Sequence, residues 1–348
     1  MSSALAPEKA VTSPVYELIG ANPSPYSCKM RAILRYRRLP HIWRQRRPTM
    51  SPEIEAVRPK LIPMLRFPEG DYRVDSTPLA YALEARHAER SIIPPDPADA
   101  FVCHLIEDFA DEWGTKWMFH HRWKEDVTAA WAANWIAQDT LPEPLGPQAQ
   151  SFAKYFHDRQ RGRMALVGSS PETAPIIEDS YRRVLKIIGA QLGGERYLFG
   201  SRPSLADFAF YGQLRQLSID PWPLRILREE APVLEGWVIG LDDAAGVEGT
   251  WQPNQSWAAE TRKALLQQIA QEYLPFLRAN ARALKQGEKQ VRLQINGRSY
   301  VQDAFAYQGK CYEEIRRRWS ALSVASQAQL MPLLQETGCL EFIKDEVA

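Results

Sequence analysis

Ser24, Tyr26, Ser27 and Cys28 place three hydroxyls and a thiol within one short stretch of the segment NPSPYSCKMRAILRYRRLPH, Asn22 to His41. The segment opens with residues that break regular structure and runs into a basic amphipathic helix. These groups therefore fall in the loop and first turn, where backbone N–H groups have no intrahelical partner. A thiol there can have its pKa lowered by the helix N-terminus, which makes Cys28 a candidate nucleophile; the alternative is a small buried residue packing the helix on a sheet. Asp75-Ser76 forms a second such corner. Ser76 lies where a new helix presents free N–H groups, suited to a carboxylate, and Asp75 can accept from an ammonium. A plain helix cap is the alternative. His120 and His121 are adjacent rather than four apart and lack a third ligand, so no metal site is expected.

The elements that must position these corners follow from periodicity. VYELIGA, Val15 to Ala21, reads as a short buried strand ahead of the loop, and Met30, Ile33, Leu34 and Arg37 recur after it at helical spacing. HIWRQR reads as a second strand. SPEIEAVRP starts a helix with Ser51 as N-cap and Pro52 at the first position, and stops before Pro59. MLRFP and YRVD flank the turn EGD, and a helix runs from about Ser76 to Arg86. The order βαβα then ββα predicts a compact mixed sheet with helices on both faces.

The proline-dense ERSIIPPDPADA marks a domain boundary. From Ala100 to about Asp139 the chain is rich in Trp, Ala and acid without strand signals; Trp113 and Trp117, like Trp131 and Trp135, are four apart and share a helix face. ETAPIIEDSYRRVLKIIGAQLGG is a helix ended by Gly193 and Gly194. Ser204 with Asp207 three residues on is an acidic variant of the capping box, and APVLEGWVIGL adds a short helix. After Val247 the texture changes again: a helix interrupted near Pro275, a hairpin signalled by Asn296-Gly297, and two further helices. The expected division is a disordered leader at 1–14, the sheet domain at 15–90, an all-helical domain at 100–247, and a helix-hairpin-helix extension at 248–348 that packs on the helical domain.

Bulk composition narrows the function. At 348 residues, 45% hydrophobic and 24% charged, the chain is long enough for about two ordinary globular domains. Its 43 basic residues nearly cancel 42 acidic ones, so no global field draws it to nucleic acid or an anionic membrane. No apolar run reaches a membrane span and MSSALAPEKAVTSP lacks the pattern of a signal peptide, so a cytoplasmic protein is expected. The four cysteines, Cys28, Cys103, Cys311 and Cys339, form no CxxC pair and are read as reduced thiols.

The joint order SPYSCKMRAILRYRRLP, then LIPML, then DST opening a helix, then LFGSRPSLADFAF in an all-helical half, resembles the cytosolic glutathione transferase superfamily from about Val15 to Leu241. The resemblance implies a thioredoxin-like α/β domain followed by an all-α bundle, with the extension beyond the family fold. It also implies a cis Ile62-Pro63 peptide whose Ile62 backbone pairs with the cysteinyl part of glutathione as an added strand would, with Asp75 and Ser76 taking the γ-glutamyl end. SPY resembles the C-P-F or C-P-Y of the cysteine classes, which places Ser24 at the reactive position as a donor to the glutathione thiolate. Such a bond lowers the thiol's ordinary pKa of about 8.5. Ser27 and Cys28 remain rivals for that role. A serine cannot form a mixed disulfide, which puts reductase chemistry in doubt. Tyr16 begins its strand and is rejected as an activating tyrosine.

The implied electrophile pocket involves Tyr26, His104, Trp113 and Trp117, and RQRRP at Arg44 to Arg47 lies near the glycyl end, or is a solvated charge run. The expected activity is attack of glutathione, as co-substrate, on a small hydrophobic electrophile without a metal, in a homodimer. A non-catalytic transferase-like scaffold that binds another protein is the alternative.

Overall fold

The computed structural model describes residues 15–143, 145–252 and 257–344; the expected leader lies outside them. Its first unit alternates β1 (Tyr16–Gly20), α1 (Pro25–Tyr36), β2 (His41–Gln45), α2 (Pro52–Ala56), β3 (Met64–Arg66), β4 (Tyr72–Val74) and α3 (Ser76–Arg86). The strands form one mixed sheet in the order β2-β1-β3-β4. β1 runs parallel to β2, with Gly20 opposite Gln45, and antiparallel to β3, with Ile19 opposite Met64. Alternation along β1 sends its side chains to two faces. Tyr16 and Leu18 enter the main core with Met30, Ile33 and Leu34 of α1 and Leu79 and Leu83 of α3. Ile19 joins Met64 and Ile54 of α2 on the other face. This is the thioredoxin-like arrangement.

The second unit is all helix: α4 (Pro97–Asp108), α5 (Gly114–Trp123), α6 (Asp126–Thr140), α7 (Pro147–Arg161), α8 (Ala174–Gln191), α9 (Leu205–Leu217), α10 (Pro221–Glu230) and α11 (Val233–Asp242). A π turn at Phe109–Trp113 joins α4 to α5. The Ser204–Asp207 capping box is complete: Ser204 Oγ accepts from the Asp207 N–H at 3.4 Å and Asp207 Oδ2 accepts from the Ser204 N–H at 2.8 Å. Asp207 Oδ1 also accepts from the Leu198 N–H, which locks the preceding loop onto α9. Burial pushes the Asp207 carboxyl up to about 6.

The remaining chain adds α12 (Trp257–Gln268), α13 (Leu274–Gln286), β5 (Gln290–Ile295), β6 (Arg298–Asp303), α14 (Ala306–Ala321), α15 (Val324–Glu336) and α16 (Leu340–Lys344). The interruption expected near Pro275 is a change of helix type rather than a break in the chain's course. A π turn at Ile269–Tyr273 directly precedes Pro275; the widened turn accommodates a residue with no N–H and a ring that crowds the preceding turn. Asn296 and Gly297 have φ of 51° and 74°, the two left-handed conformations of the tight hairpin turn between β5 and β6. Tyr300 of β6 is buried between Trp113 and Phe276, with ring centroids 5.7 and 5.8 Å away. Trp319 of α14 packs edge-on against Phe101 of α4, and Arg318 lies 4.1 Å over the Tyr81 ring of α3. Side chains of both units and of the C-terminal elements share one continuous core, while α6 and α7 pack in a smaller cluster of their own. No helix among the described residues is long and apolar enough to cross a membrane.

Candidate functional site

The corner after β1 is built first. Ser24 is the N-cap of α1, with extended backbone (φ −104°, ψ 120°), and its Oγ accepts from the Ser27 N–H at 3.3 Å. Pro25 at the first helical position suits the fixed φ that a helix needs. The loop is held from the helical unit by Arg122, a buried guanidinium that donates to Pro23 O at 2.9 Å, Gln216 Oε1 at 2.8 Å and Asp220 Oδ2 at 2.6 Å. Gly212 of α9 permits the close approach, since a Cβ there would lie 2.8 Å from Pro25 O.

The three rival groups of this corner differ in surroundings. Ser24 is half-buried. The Ser27 hydroxyl is wholly buried against Gly20, where a Cβ would come within 2.5 Å of its Oγ. Cys28 is 2% exposed; its thiol donates to Asn22 O at 3.3 Å and accepts from Gln216 Nε2 at 3.4 Å. Burial pushes that thiol up from its ordinary value, opposite to the shift a helix N-terminus gives an exposed thiol.

The other corners lie on β3 and α3. The Ile62–Pro63 peptide is cis, with Pro63 buried and Ile62 half-buried just before β3. Among the described residues no group hydrogen-bonds the Ile62 N–H or C=O. Asp75 is the residue before α3 and has φ +79°, in the left-handed region, yet its side chain makes no cap bond to its own helix. Instead Asp75 Oδ2 accepts from the Tyr307 hydroxyl at 2.8 Å, a contact from α14. Ser76 is buried at the first turn.

Facing these corners is a buried acidic ladder on α4 and its π turn. Lys29 of α1 donates to Glu107 Oε1 at 2.6 Å and Asp111 Oδ2 at 2.5 Å, all three side chains being almost fully inaccessible. Burial alone lowers the Lys29 pKa, but Asp111 and Glu107 more than reverse that and hold it above its ordinary value. One cation offsets one anion, so burial and the neighbouring Glu107 charge still push Asp111 up. Glu112 is pushed well above the carboxylate range by burial and by Asp108, Asp111 and Asp75. Tyr26 reaches across from α1, its hydroxyl donating to Asp111 O at 3.0 Å and lying 2.6 Å from Thr115 Oγ1.

Three residues expected in the electrophile pocket are not there. Trp113 and Trp117 are fully buried, and both indole N–H groups donate to Ser180 Oγ at 2.9 Å. His104 is 2% exposed, with Nδ1 3.4 Å from Glu107 Oε2. A pocket wall must present surface to a ligand. These three present theirs to the core, because α8 and the extension cover the face that the tryptophans share. Arg44 pairs with Glu17, Arg46 with Glu55 at 2.7 Å, and Arg47 donates to Asp139 O and Leu141 O at 3.0 and 3.1 Å. His120 bonds Ser169 and Glu178; among the described residues no group of three or more His, Cys, Asp or Glu side chains is placed to hold a metal ion. Lys29, Arg122 and Tyr307 escaped sequence reasoning. Their partners lie between 78 and 232 positions away, and nothing local in the sequence marks them.

A thioredoxin-like unit followed by a helical bundle, with a Ser204–Asp207 capping box inside that bundle, is the glutathione S-transferase fold. The family's N-terminal domain, described as "Glutathione S-transferase, N-terminal domain", matches residues 18–91, and "Glutathione S-transferase, C-terminal domain" matches residues 129–239. The chain belongs to the glutathione S-transferase superfamily. Among solved structures it is similar to a glutathione S-transferase from Methylobacterium radiotolerans in complex with glutathione sulfonate (22% identity, TM-score 0.44, covering 69% of this chain and 98% of that one). It is also similar to the beta-etherase LigF from Sphingobium sp. strain SYK-6 (18% identity, TM-score 0.47, covering 71% and 98%). A third is a glutathione S-transferase from Methylobacillus flagellatus with glutathione bound (18% identity, TM-score 0.39, covering 71% and 98%). No curated protein sequence matches the chain.

Proposed function

We propose that the chain binds glutathione across the three corners and conjugates it, through its thiolate sulfur, to a small hydrophobic electrophile. The observation that carries this reading is the convergence of chemistry in one unit: a half-buried hydroxyl at the start of α1, a backbone corner at Ile62–Pro63 whose Ile62 N–H and C=O have no partner among the described residues, and a carboxylate at the start of α3 that accepts from outside its own helix. The Ile62 groups suit the cysteinyl amide, the first turn of α3 at Ser76 suits the γ-glutamyl carboxylate, and Asp75 suits the ammonium. Ser24, the most open of the three rivals, donates to the thiolate. The thiol proton goes to solvent, a sulfur–carbon bond forms, and the leaving group departs with its electron pair. Positioning and ionisation of the nucleophile supply the rate.

A scaffold that does not turn over substrate is favoured by one feature: Asp75 and Arg44 to Arg47 already have partners within the protein. Titration calorimetry with glutathione on the parent chain and on Asp75→Ala decides between them. Binding that the substitution weakens supports the transferase reading; no binding by the parent leaves the scaffold.

A further inference from the structure

Tyr307 reaches the corner at α3 from 232 positions away in the chain, and the structure builds it there firmly. The residue before α14 is clamped at both backbone groups by one wholly buried side chain: Asn280 Oδ1 accepts from the Phe305 N–H at 2.8 Å and Asn280 Nδ2 donates to Phe305 O at 3.0 Å. Two turns of helix later, Tyr312 and Ile315 are buried in the main core. Tyr307 itself is 37% exposed, so its ring borders open space while its hydroxyl is directed by a fixed backbone.

The partner it meets lies just ahead of α3, where the Thr77 backbone also favours its ionised form. Asp75 occupies an N-cap position without capping, in a left-handed conformation that an L-residue adopts only under constraint. The charged and titratable groups around it are Lys29 from α1, Glu107 from α4, Glu112 from the π turn and Tyr307 from α14. Lys29 is committed to Glu107 and Asp111. Tyr307 is thus the direct hydrogen-bond donor to this carboxylate from outside its own corner. The bond takes up one carboxylate oxygen, and a carboxylate accepts at about four positions, so room for a second donor remains.

We propose that Tyr307 is a positioning residue of the tripeptide pocket, whose hydroxyl holds the Asp75 carboxylate in place to receive the γ-glutamyl ammonium. The inference rests on the glutathione reading above and assigns part of that site to the C-terminal segment. Burial raises the Asp75 pKa and the Tyr307 bond works against that rise. An ammonium is bound by the ionised carboxyl. Removing the hydroxyl therefore moves the acidic limb of glutathione binding to higher pH.

The test compares the full chain with Tyr307→Phe, which keeps the ring. Glutathione is titrated calorimetrically across the acid to neutral range, and the Asp75 carboxyl carbon is followed by NMR in the ligand-free protein. The expected result is binding weakened about tenfold, the size of one lost hydrogen bond to a charged group, with the acidic limb and the Asp75 titration both moved upward. In turnover assays KM rises and kcat holds, since the ammonium is bound alike in ground and transition states. Equal binding with an unmoved limb overturns the proposal. So does tighter binding by Tyr307→Phe, which makes the hydroxyl a competitor for the ammonium's place. A parent chain that binds no glutathione overturns the glutathione reading and this assignment with it.

Discussion

Lys29 Nζ lies 2.6 Å from Glu107 Oε1 with both side chains wholly buried, so a single ion pair ties α1, which carries the Ser24 corner, to α4 of the helical unit. Removing one partner of such a pair leaves an uncompensated charge, at a cost of about 3–5 kcal/mol. Lys29→Met is expected to lower stability by that order in urea unfolding. It also leaves Asp111 without its cation, whereas Glu107→Gln leaves Lys29 with Asp111 and should cost less. Equal losses in the two variants would show that Asp111 contributes nothing to holding Lys29.

Ser24 and Cys28 give opposite expectations. Ser24→Ala removes the proposed donor to the thiolate, and loss of one donor to a developing or bound anion lowers turnover by about 100-fold or more. The ultraviolet absorbance of the bound thiolate should shift to higher pH in the same variant. It also loses an N-cap, at about 1 kcal/mol. Cys28→Ala should leave the absorbance profile in place, because its thiol faces Asn22 and Gln216. A larger effect from Cys28→Ala would transfer the role to the thiol.

His121 predicts an acid limb of stability. It is buried, with its ring 5.1 Å from those of Tyr181 and His120, and burial followed by the His120 charge lowers its pKa to about 3. The unfolded chain protonates this imidazole near pH 6.5, about three units before the folded one does. Below about pH 6.5 the unfolded state thus binds more protons, and stability falls as pH falls, by roughly 1.4 kcal/mol per unit, until the folded group titrates. His121→Phe should flatten that part of the curve in unfolding experiments run between neutral pH and about pH 4.5. An unchanged slope would place the acid sensitivity elsewhere.

Ser180 joins two indoles to the C-terminal segment. Its hydroxyl accepts from Trp113 and Trp117 and donates to Glu272 Oε2 at 2.6 Å, in the π turn before Pro275. Ser180→Ala strands buried polar groups, each costing about 1–3 kcal/mol. Tryptophan fluorescence should change in the folded state, and hydrogen exchange at Ile269–Tyr273 should speed up. If the π turn keeps its protection, its other contacts hold it, among them the Tyr273 hydroxyl bond to Asp108 and the Arg183–Glu272 pair.

The features that were legible beforehand are local ones. Ser24-Pro25, Ser204-x-x-Asp207 and Asn296-Gly297 each encode a backbone geometry within four residues, and the structure shows an N-cap, a capping box and a left-handed pair at those places. The strand and helix order of the first unit was readable for the same reason: period and breakers act over a few residues. Trp113 and Trp117 show where such reasoning stops. Their spacing correctly puts them on one helix face, but spacing does not say what covers that face. Pro275 is similar; the residue disfavours a regular turn, and whether the chain breaks or widens is decided by what packs around Tyr273.

From sequence alone came the two-part architecture and the corners at Ser24 and Asp75–Ser76, which are properties of adjacent residues; the resemblance of the joint order to a family supplied the Ile62–Pro63 corner. Tertiary structure alone decided that Lys29 is matched to Glu107 and Asp111, that Arg122 holds the Ser24 loop, and that Tyr307 comes to Asp75. Those pairings join residues between 78 and 232 positions apart. A hydrogen bond forms only where packing brings donor and acceptor within about 3 Å, and over such separations that distance is set by the whole core rather than by any run of residues.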